Sequence, residues 1–257
     1  MDSKKYDSEE KEIWQSGVLQ DLFPGDLIIE LGRCFLAAPY RAGTLEAPGR
    51  EKLVITLKEF DCTTFVESVV ALALSADDQP LSPLAFSKNL KRIRYRGGKI
   101  VGYASRLHYF TDWIRDNVKK KILDDITASL GGKGLRKKIS FMTDHRSLYP
   151  ALKNKAAYEK MLQVEKSLSR KTFAVIPSGS LRAVASKIKN GDIIAFATDE
   201  DGLDVLHTGF AARQGKKIYL LHASSKEGAV VMSSKPLTAY IKSNKKISGV
   251  LVARIRP

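Results

Sequence analysis

The sequence has 257 residues, of which 44% are hydrophobic and 28% charged, and 43 Lys and Arg against 28 Asp and Glu give a formal net charge of +15. This apolar content supplies a full core and excludes a disordered or fibrous chain, while no apolar run is long enough for a membrane span. The positive charge favours anionic partners, but the basic residues are spread along the chain without a zinc-finger or RNA-recognition signature, so no nucleic-acid partner is expected.

Helical patterns dominate the first half of the chain. Residues 1–24 predict a helical extension that Pro24 interrupts, and residues 27–37 predict a second helix. A third helix follows Asp61, because residues 62–74 place apolar side chains mainly on one face and aspartate is a preferred N-cap residue. This third helix is therefore expected to pack into the core.

Strand patterns dominate the second half, after a turn signal at 189–192. Strands are predicted at 193–197, 205–212, 217–222 and 249–255. Helices followed by an antiparallel meander indicate an α+β fold. Residues 119–171 are basic, and we expect them to form a mostly helical insertion within one domain that spans residues 1–257.

The chain has two cysteines, Cys34 and Cys62, which excludes a disulfide scaffold and a four-cysteine zinc site. Cys62 opens the predicted third helix, where the positive end of the helix dipole favours a thiolate. A reactive cysteine at this position needs a neighbouring histidine that accepts its proton.

Two histidines fall on one face of a predicted hairpin. If Gln214 and Gly215 form a two-residue turn, His207 lies directly opposite His222, with Cβ atoms about 5 Å apart. One imidazole can then orient the other, as the third group of a catalytic triad orients its base. A slip of one residue in the turn would destroy this arrangement.

Cys62, His207 and His222 thus supply one candidate each for nucleophile, base and orienting group. Two alternatives stay open from the residues alone. Cys62 and the histidines are also compatible with purely structural roles in the core. The two histidines could instead bind zinc together with Asp204, although their spacing matches no standard zinc motif.

Six segments resemble the NlpC-type papain-like cell-wall hydrolases and, within that superfamily, the N-acetylmuramoyl-L-alanine amidase-like branch. The superfamily motifs are similar to DCTTFVE at 61–67, HTGF at 207–210 and LHASS at 221–225. The branch is similar at PYRAGTL, 39–45, at SRLHYFTDWI, 105–114, and at GLDV, 202–205. The six segments occur in the same order over about residues 25–255.

The resemblance implies a papain-like core, with the cysteine helix packed on an antiparallel sheet and extra helical segments around it. It implies Cys62 as nucleophile, His207 as base and His222 as orienting residue, with no metal and no cofactor. The implied reaction is hydrolysis of the amide between N-acetylmuramic acid and L-alanine through a thioester. A stem-peptide endopeptidase that cuts between D-glutamate and the diamino acid is the alternative on the same scaffold. A basic nucleic-acid-binding module is a further alternative, but it explains none of the six segments.

Candidate substrate contacts are Asp61, Tyr40, Arg106, His108 and Ser105. Asp61 is equally suited to capping its helix. The cation and imidazole within 105–109 suit carboxylates and sugar hydroxyls, although the same segment could pack against the core while Arg106 stays solvated.

The partners implied by the resemblance are peptidoglycan fragments, and the protein is expected to act as a monomer. Relatives usually act outside the cytoplasm, so a periplasmic or other extracytoplasmic location is expected. Residues 1–11 lack the apolar stretch of a secretory signal, which leaves a cytoplasmic location open.

Overall fold

The computed structural model describes residues 22–46, 49–76 and 82–256, so the predicted extension at 1–24 lies almost entirely outside the described residues. The helices are α1 Pro24–Arg33, α2 Cys62–Ala73, α3 Pro83–Arg94, α4 Phe110–Lys119, α5 Phe141–Asp144, α6 Lys155–Ser169, α7 Leu181–Val184 and α8 Leu237–Lys242. The strands are β1 Leu123–Asp125, β2 Lys133–Leu135, β3 Phe173–Pro177, β4 Ile193–Thr198, β5 Val205–Gln214, β6 Lys217–Ser224, β7 Ala229–Met232 and β8 Ile247–Ile255. In this part of the chain, no helix has the length and apolar character of a membrane span.

The strands form one antiparallel sheet in the order β2-β3-β8-β4-β5-β6-β7, with β1 also paired to β8. This confirms the α+β class and the four predicted strands. The predicted meander holds for β4 to β7 only. The C-terminal strand β8 inserts between β3 and β4, where it is buried along most of its length.

Residues 119–171 differ from the expected helical insertion. They contribute β1 and β2, which pair with β8 and β3, as well as helices α5 and α6. Leu123 in β1 is fully buried in the main core. Two-residue alternation over three-residue strands is too short a signal to separate from helix in the sequence.

Helices α1 and α2 begin at residues that are suited to helix starts. Pro24 occupies the first turn of α1, since proline fits the first helical position. Helix α2 begins after Asp61 as predicted. Its apolar face packs on the sheet, where the rings of Phe65 in α2 and Phe210 in β5 lie 5.7 Å apart, edge to face. This packing fixes the N-terminus of α2 beside the start of β5.

Candidate active site

The N-terminus of α2 is held by a capping box. The Asp61 side chain accepts a hydrogen bond from the Thr64 backbone N–H at 2.7 Å, and the Thr64 hydroxyl accepts one from the Asp61 backbone N–H at 2.9 Å. Cys62 is the first residue of the helix and is half-buried. Among the described residues, no group accepts from the Cys62 backbone N–H, as is usual for a first-turn amide. The capping box therefore leaves the Cys62 backbone N–H free as a donor beside the thiol.

His207 and His222 are in direct contact. Nε2 of His207 lies 2.7 Å from Nδ1 of His222. Nδ1 of His207 is therefore the nitrogen left for another partner. The predicted proximity of these two residues within one hairpin is correct, but the predicted direct pairing is wrong, because the strands adopt a different register.

The hairpin turn consists of Gly215 and Lys216, because Gln214 pairs with Lys217 and Phe210 pairs with Leu221. Gly215 has φ 59, a value that favours glycine at the first central position of a tight hairpin turn. The prediction placed the turn one residue too early, and the expectation that such a slip would separate the histidines is wrong, because moving the turn by one residue shifts the pairing by two. The strands are thus offset by two residues, which keeps both histidines on the same face and makes them diagonal neighbours rather than directly opposed.

Gly209 makes the diagonal contact possible. A Cβ atom at Gly209 would lie 2.8 Å from the His222 Cβ and 2.8 Å from the Leu221 carbonyl oxygen. Since real Cβ atoms do not approach so closely, any side chain at position 209 would displace its neighbours. The missing side chain lets His222 approach His207 across the strand.

An aromatic floor supports the two imidazoles. The ring of Phe196 stacks on His207 at 5.9 Å, and Tyr240 meets His222 edge to face at 5.6 Å. Burial against this floor restricts the ring orientations and removes water from them. The histidine pair is therefore fixed before any ligand binds.

Burial also determines the charge of these groups. It raises the pKa of the Cys62 thiol to about 12, an effect that the Asp61 carboxylate increases and hydrogen bonds from Thr208 and Thr63 oppose. Burial lowers the pKa of His207 to about 3, with His222 adding to the shift, and lowers the pKa of His222 to about 4. The structure thus favours a neutral thiol beside neutral imidazoles, against the expected thiolate, because burial and the Asp61 carboxylate outweigh the hydrogen bonds that favour the thiolate.

Cys62 and His207 line one cavity of about 130 Å³. His108 also lines it, as do Phe141 and Tyr149 from the basic segment between the predicted halves. No local sequence signal singled out these two aromatic residues, because their position depends on how residues 119–171 fold back over α4. The cavity is small and its walls are mostly neutral.

Two of the expected substrate contacts lie near the cysteine. Burial raises the pKa of Tyr40 to about 12, and the charges of Cys62 and Asp61 contribute, so its phenol stays protonated. In the described part of the chain no group hydrogen-bonds the Tyr40 hydroxyl, which leaves it as a donor. His108 Nε2 lies 3.0 Å from the Tyr103 carbonyl oxygen, so Nε2 carries the proton and Nδ1 remains an acceptor.

The other expected contacts have protein partners. Arg106 is 4% exposed and donates to the Leu45 carbonyl at 2.9 Å and to Glu46 at 2.7 Å, and Glu51 lies 3.5 Å from its Nε. Ser105 donates to the Gly102 carbonyl at 2.6 Å. Neither Arg106 nor Ser105 is among the residues that line the Cys62 cavity. These placements favour structural roles for both.

The geometry does not support the zinc alternative. Both carboxylate oxygens of Asp204 are occupied, one by the Thr111 amide at 2.8 Å and the Thr111 hydroxyl at 2.6 Å, the other by the Val205 amide at 2.8 Å. No group of three or more His, Cys, Asp or Glu side chains in the described ranges could hold a metal ion. Asp204 instead ties the start of β5 to the start of α4.

The sequence and the fold have known counterparts. A family model described as N-acetylmuramoyl-L-alanine amidase-like matches residues 30–250. The crystal structure of an N-acetylmuramoyl-L-alanine amidase from Bacteroides uniformis ATCC 8492 is 44% identical, with a TM-score of 0.86 and alignment over 91% of this chain and 99% of that one.

Two structures with other names are also similar. A protein from Bacteroides fragilis that is provisionally named a xylanase is 43% identical, with a TM-score of 0.84, and the alignment covers 88% of this chain and 99% of that one. A Legionella pneumophila protein is 25% identical with a TM-score of 0.72, and 97% of this chain aligns with 94% of it. No protein with a curated description matches the chain.

Proposed function

Because the chain belongs to the N-acetylmuramoyl-L-alanine amidase-like family, we propose that it is a cysteine hydrolase that cleaves the amide between N-acetylmuramic acid and L-alanine in peptidoglycan fragments. The observation that carries the proposal is the 2.7 Å contact between His207 Nε2 and His222 Nδ1 in a protein whose Cys62 shares a cavity wall with His207. This supplies nucleophile, base and orienting group in a papain-like arrangement.

The attack begins from a neutral pair. For Nδ1 of His207 to accept a proton, its Nε2 must carry the hydrogen and donate it to Nδ1 of His222. Nδ1 of His207 then takes the thiol proton as Cys62 Sγ bonds to the amide carbonyl carbon. The imidazolium formed is stabilised by the lone pair of His222, which acts as a positioning residue.

The oxyanion of the tetrahedral intermediate needs donors that have no other partner. The Cys62 backbone N–H at the helix start is one, and the protonated Tyr40 hydroxyl is the second. Asp61 leaves the Cys62 amide free because its side chain caps Thr64 two residues further on. The cap thus stabilises the start of the helix and also leaves the Cys62 N–H available as a donor.

The remaining steps return the proton and release the acyl group. His207 gives its proton to the leaving L-alanine nitrogen, and the C–N bond breaks to leave a muramoyl thioester on Cys62. Water, deprotonated by Nδ1 of His207, then attacks the thioester carbonyl, and the C–S bond breaks as the proton returns to sulfur. The products are the free stem peptide and the amino sugar carboxylic acid.

Two alternatives are separable in principle. An endopeptidase cutting between D-glutamate and the diamino acid would use the same three residues, so only the cleaved bond distinguishes it. A glycosidase, suggested by the xylanase name of the B. fragilis relative, would require two available carboxylates around the scissile bond. Among the residues that the structure describes, Asp204 is the one carboxylate that lines the Cys62 cavity, and both its oxygens are occupied.

The decisive experiment incubates a defined muropeptide with the wild-type protein and with Cys62→Ala, and identifies the products by mass spectrometry. We expect a stem peptide that begins with L-alanine from the wild type and no product from the variant. A shortened dipeptide left on the sugar, again lost in Cys62→Ala, would favour the endopeptidase. Equal cleavage by both proteins would exclude the cysteine mechanism.

We infer that the protein acts as a single-domain monomer on peptidoglycan fragments outside the cytoplasm, without a cofactor. The family supports the substrate class, and elution volume in gel filtration tests the monomer.

A further inference from the structure

A second and larger cavity, of about 560 Å³, lies beside helices α4 and α6. It shares no lining residue with the Cys62 cavity. Five basic side chains line it, and they come from widely separated parts of the sequence: Arg96, Arg115, Lys119, Lys160 and Lys171. We name it the basic cavity.

The two carboxylates in its described lining, Asp112 and Asp116, neutralise only part of this charge. Asp112 pairs with Arg96 at 2.6 Å. Asp116 pairs with Lys120, which lies outside the lining, and accepts from the Gly97 backbone amide. In the residues that the structure describes, Lys119, Lys160 and Lys171 have no ion-pair partner. Three ammonium groups thus line one concave space without an ion pair of their own among the described residues, and basic side chains outnumber carboxylates in this lining by five to two.

The guanidinium of Arg96 has unused hydrogen-bonding capacity. Its Nη1 donates to Asp112, but its Nη2 is buried and lacks any hydrogen-bond partner. A buried donor without an acceptor destabilises the fold, so such a group is uncommon unless a bound species completes it. Arg96 lines the same cavity as the unpaired lysines.

The electrostatics of Lys171 agree with this crowding of positive charge. Burial lowers the pKa of Lys171, and Arg115, Lys119 and Arg96 lower it further, while Asp112 opposes them. A bound anion would reverse this effect, since an opposite charge favours the protonated amine.

We propose that the basic cavity binds an oxyanion group, a phosphate or a carboxylate, of an anionic ligand, with Arg96, Lys119 and Lys171 as its main contacts. Guanidinium and ammonium donors form their strongest hydrogen bonds with such groups. Phosphate and carboxylate groups share this chemistry, and their relative affinities distinguish them. The inference does not depend on the reaction at Cys62.

Isothermal titration calorimetry of the full chain with pyrophosphate and with tricarballylate tests the proposal. The test variant is Lys119→Gln combined with Lys171→Gln, and Arg96→Gln is the second. The matched control is Lys242→Gln combined with Lys245→Gln, which removes the same charge from exposed lysines outside the cavity. Thermal melting confirms that each variant folds.

We expect the test variants to bind at least about tenfold more weakly than the wild type and the control to bind as the wild type does. Preference for pyrophosphate would assign a phosphate-bearing ligand, and preference for tricarballylate a carboxylate-bearing one. No binding of either probe to the wild type would overturn the proposal. Equal weakening in the test and control variants would also overturn it, because the effect would then come from net charge alone.

Discussion

The Cys62 cavity and the Arg106 cluster both bury polar groups, yet they use them in opposite ways. In the cluster, Arg106 is held by the Leu45 carbonyl, Glu46 and Glu51, and Tyr103 donates to Glu46 as well. The side chains there hold one another in place. A cluster of this kind joins segments of the fold, and its one unpaired donor among the described residues, the buried Nε of Arg106, lies 3.5 Å from Glu51 and does not line the Cys62 cavity.

In the Cys62 cavity, the groups are buried but keep unpaired atoms. At its wall, Nδ1 of His207 and Nδ1 of His108 have no hydrogen-bond partner in the described part of the chain, and neither has the hydroxyl of Tyr40, which is close to Cys62 but does not line the cavity. Burial strips these groups of charge and holds them rigid, and the structure leaves their reactive atoms open. Unpaired atoms at a cavity wall, rather than residue type or an unpaired atom alone, separate a reactive site from a structural cluster, since the unpaired Nε of Arg106 is buried away from the Cys62 cavity.

The largest expected effect comes from removing the acceptor of the histidine pair. We expect His222→Ala to lower kcat/KM about 100-fold or more, because the His207 tautomer and orientation are no longer fixed. His222→Asn should recover part of this loss, since its side-chain carbonyl can accept from His207 Nε2. Steady-state kinetics on a muropeptide measure both variants. Full activity in His222→Ala would show that His207 needs no orienting partner.

Disrupting the Arg106 cluster should affect stability rather than catalysis. We expect Arg106→Met to lower the free energy of unfolding by about 3 kcal/mol, since it leaves Glu46 and Glu51 unpaired. The exposed pair of Arg256 and Asp124 offers a control, because Arg256→Met should cost less than about 1 kcal/mol. Urea unfolding measures both variants. A raised KM for Arg106→Met with unchanged stability would instead assign Arg106 to the substrate.

The neutral histidines should make the fold sensitive to acid. Burial lowers the pKa of His207 to about 3 and of His222 to about 4, so the unfolded chain binds more protons than the folded one below pH 6.5. Stability from these groups is full above pH 6.5 and falls as the pH falls. Each should lose about 2 kcal/mol between pH 6.5 and 5.

Urea unfolding at several pH values between 7.5 and 5 measures this loss, and His222→Asn should reduce the slope. Activity should outlast the ordinary histidine titration, because the base stays neutral below pH 6.5. An acid limb of kcat/KM near 6.5 would show that His207 titrates like an exposed histidine.

Local patterns predicted the parts of the site that depend on short segments. The cap at Asp61, the helix that follows it and the strands that carry His207 and His222 all follow from spacing and residue preference. The hairpin register does not, because the sequence does not show which residue adopts the positive φ of Gly215. The prediction kept the correct face only because the error was an even number of residues.

Long-range packing decided what the patterns left open. Arg96, Lys119 and Lys171 belong to separate basic runs, and nothing in their spacing brings them to one cavity. Phe141 and Tyr149 line the Cys62 cavity because residues 119–171 join the sheet and then return to the side of the fold where this cavity lies. Spacing within a segment carries no information about such contacts.

Gly209 connects the register of β5 and β6 to the contact between His207 and His222, and its substitution should give the smallest of the expected effects on activity. Gly209→Ala would bring a Cβ atom to 2.8 Å from the His222 Cβ and the Leu221 carbonyl oxygen. The backbone oxygen cannot move far, so the strain should displace His222 and lengthen its contact with His207. We expect a loss of about 1–3 kcal/mol in stability and a fall in kcat/KM smaller than that of His222→Ala.

Gly215→Ala is the matched control for Gly209→Ala, because it also adds one methyl group to the same hairpin. Gly215 has nothing within 4 Å of a new Cβ atom but holds φ 59, so alanine there should strain the turn alone. Unfolding and kinetics of both variants separate the two effects. Both variants should lose stability, but only Gly209→Ala should also lose activity. Equal kinetics in the two would mean that His222 tolerates displacement, and that the 2.7 Å contact is a consequence of packing rather than a requirement of the reaction.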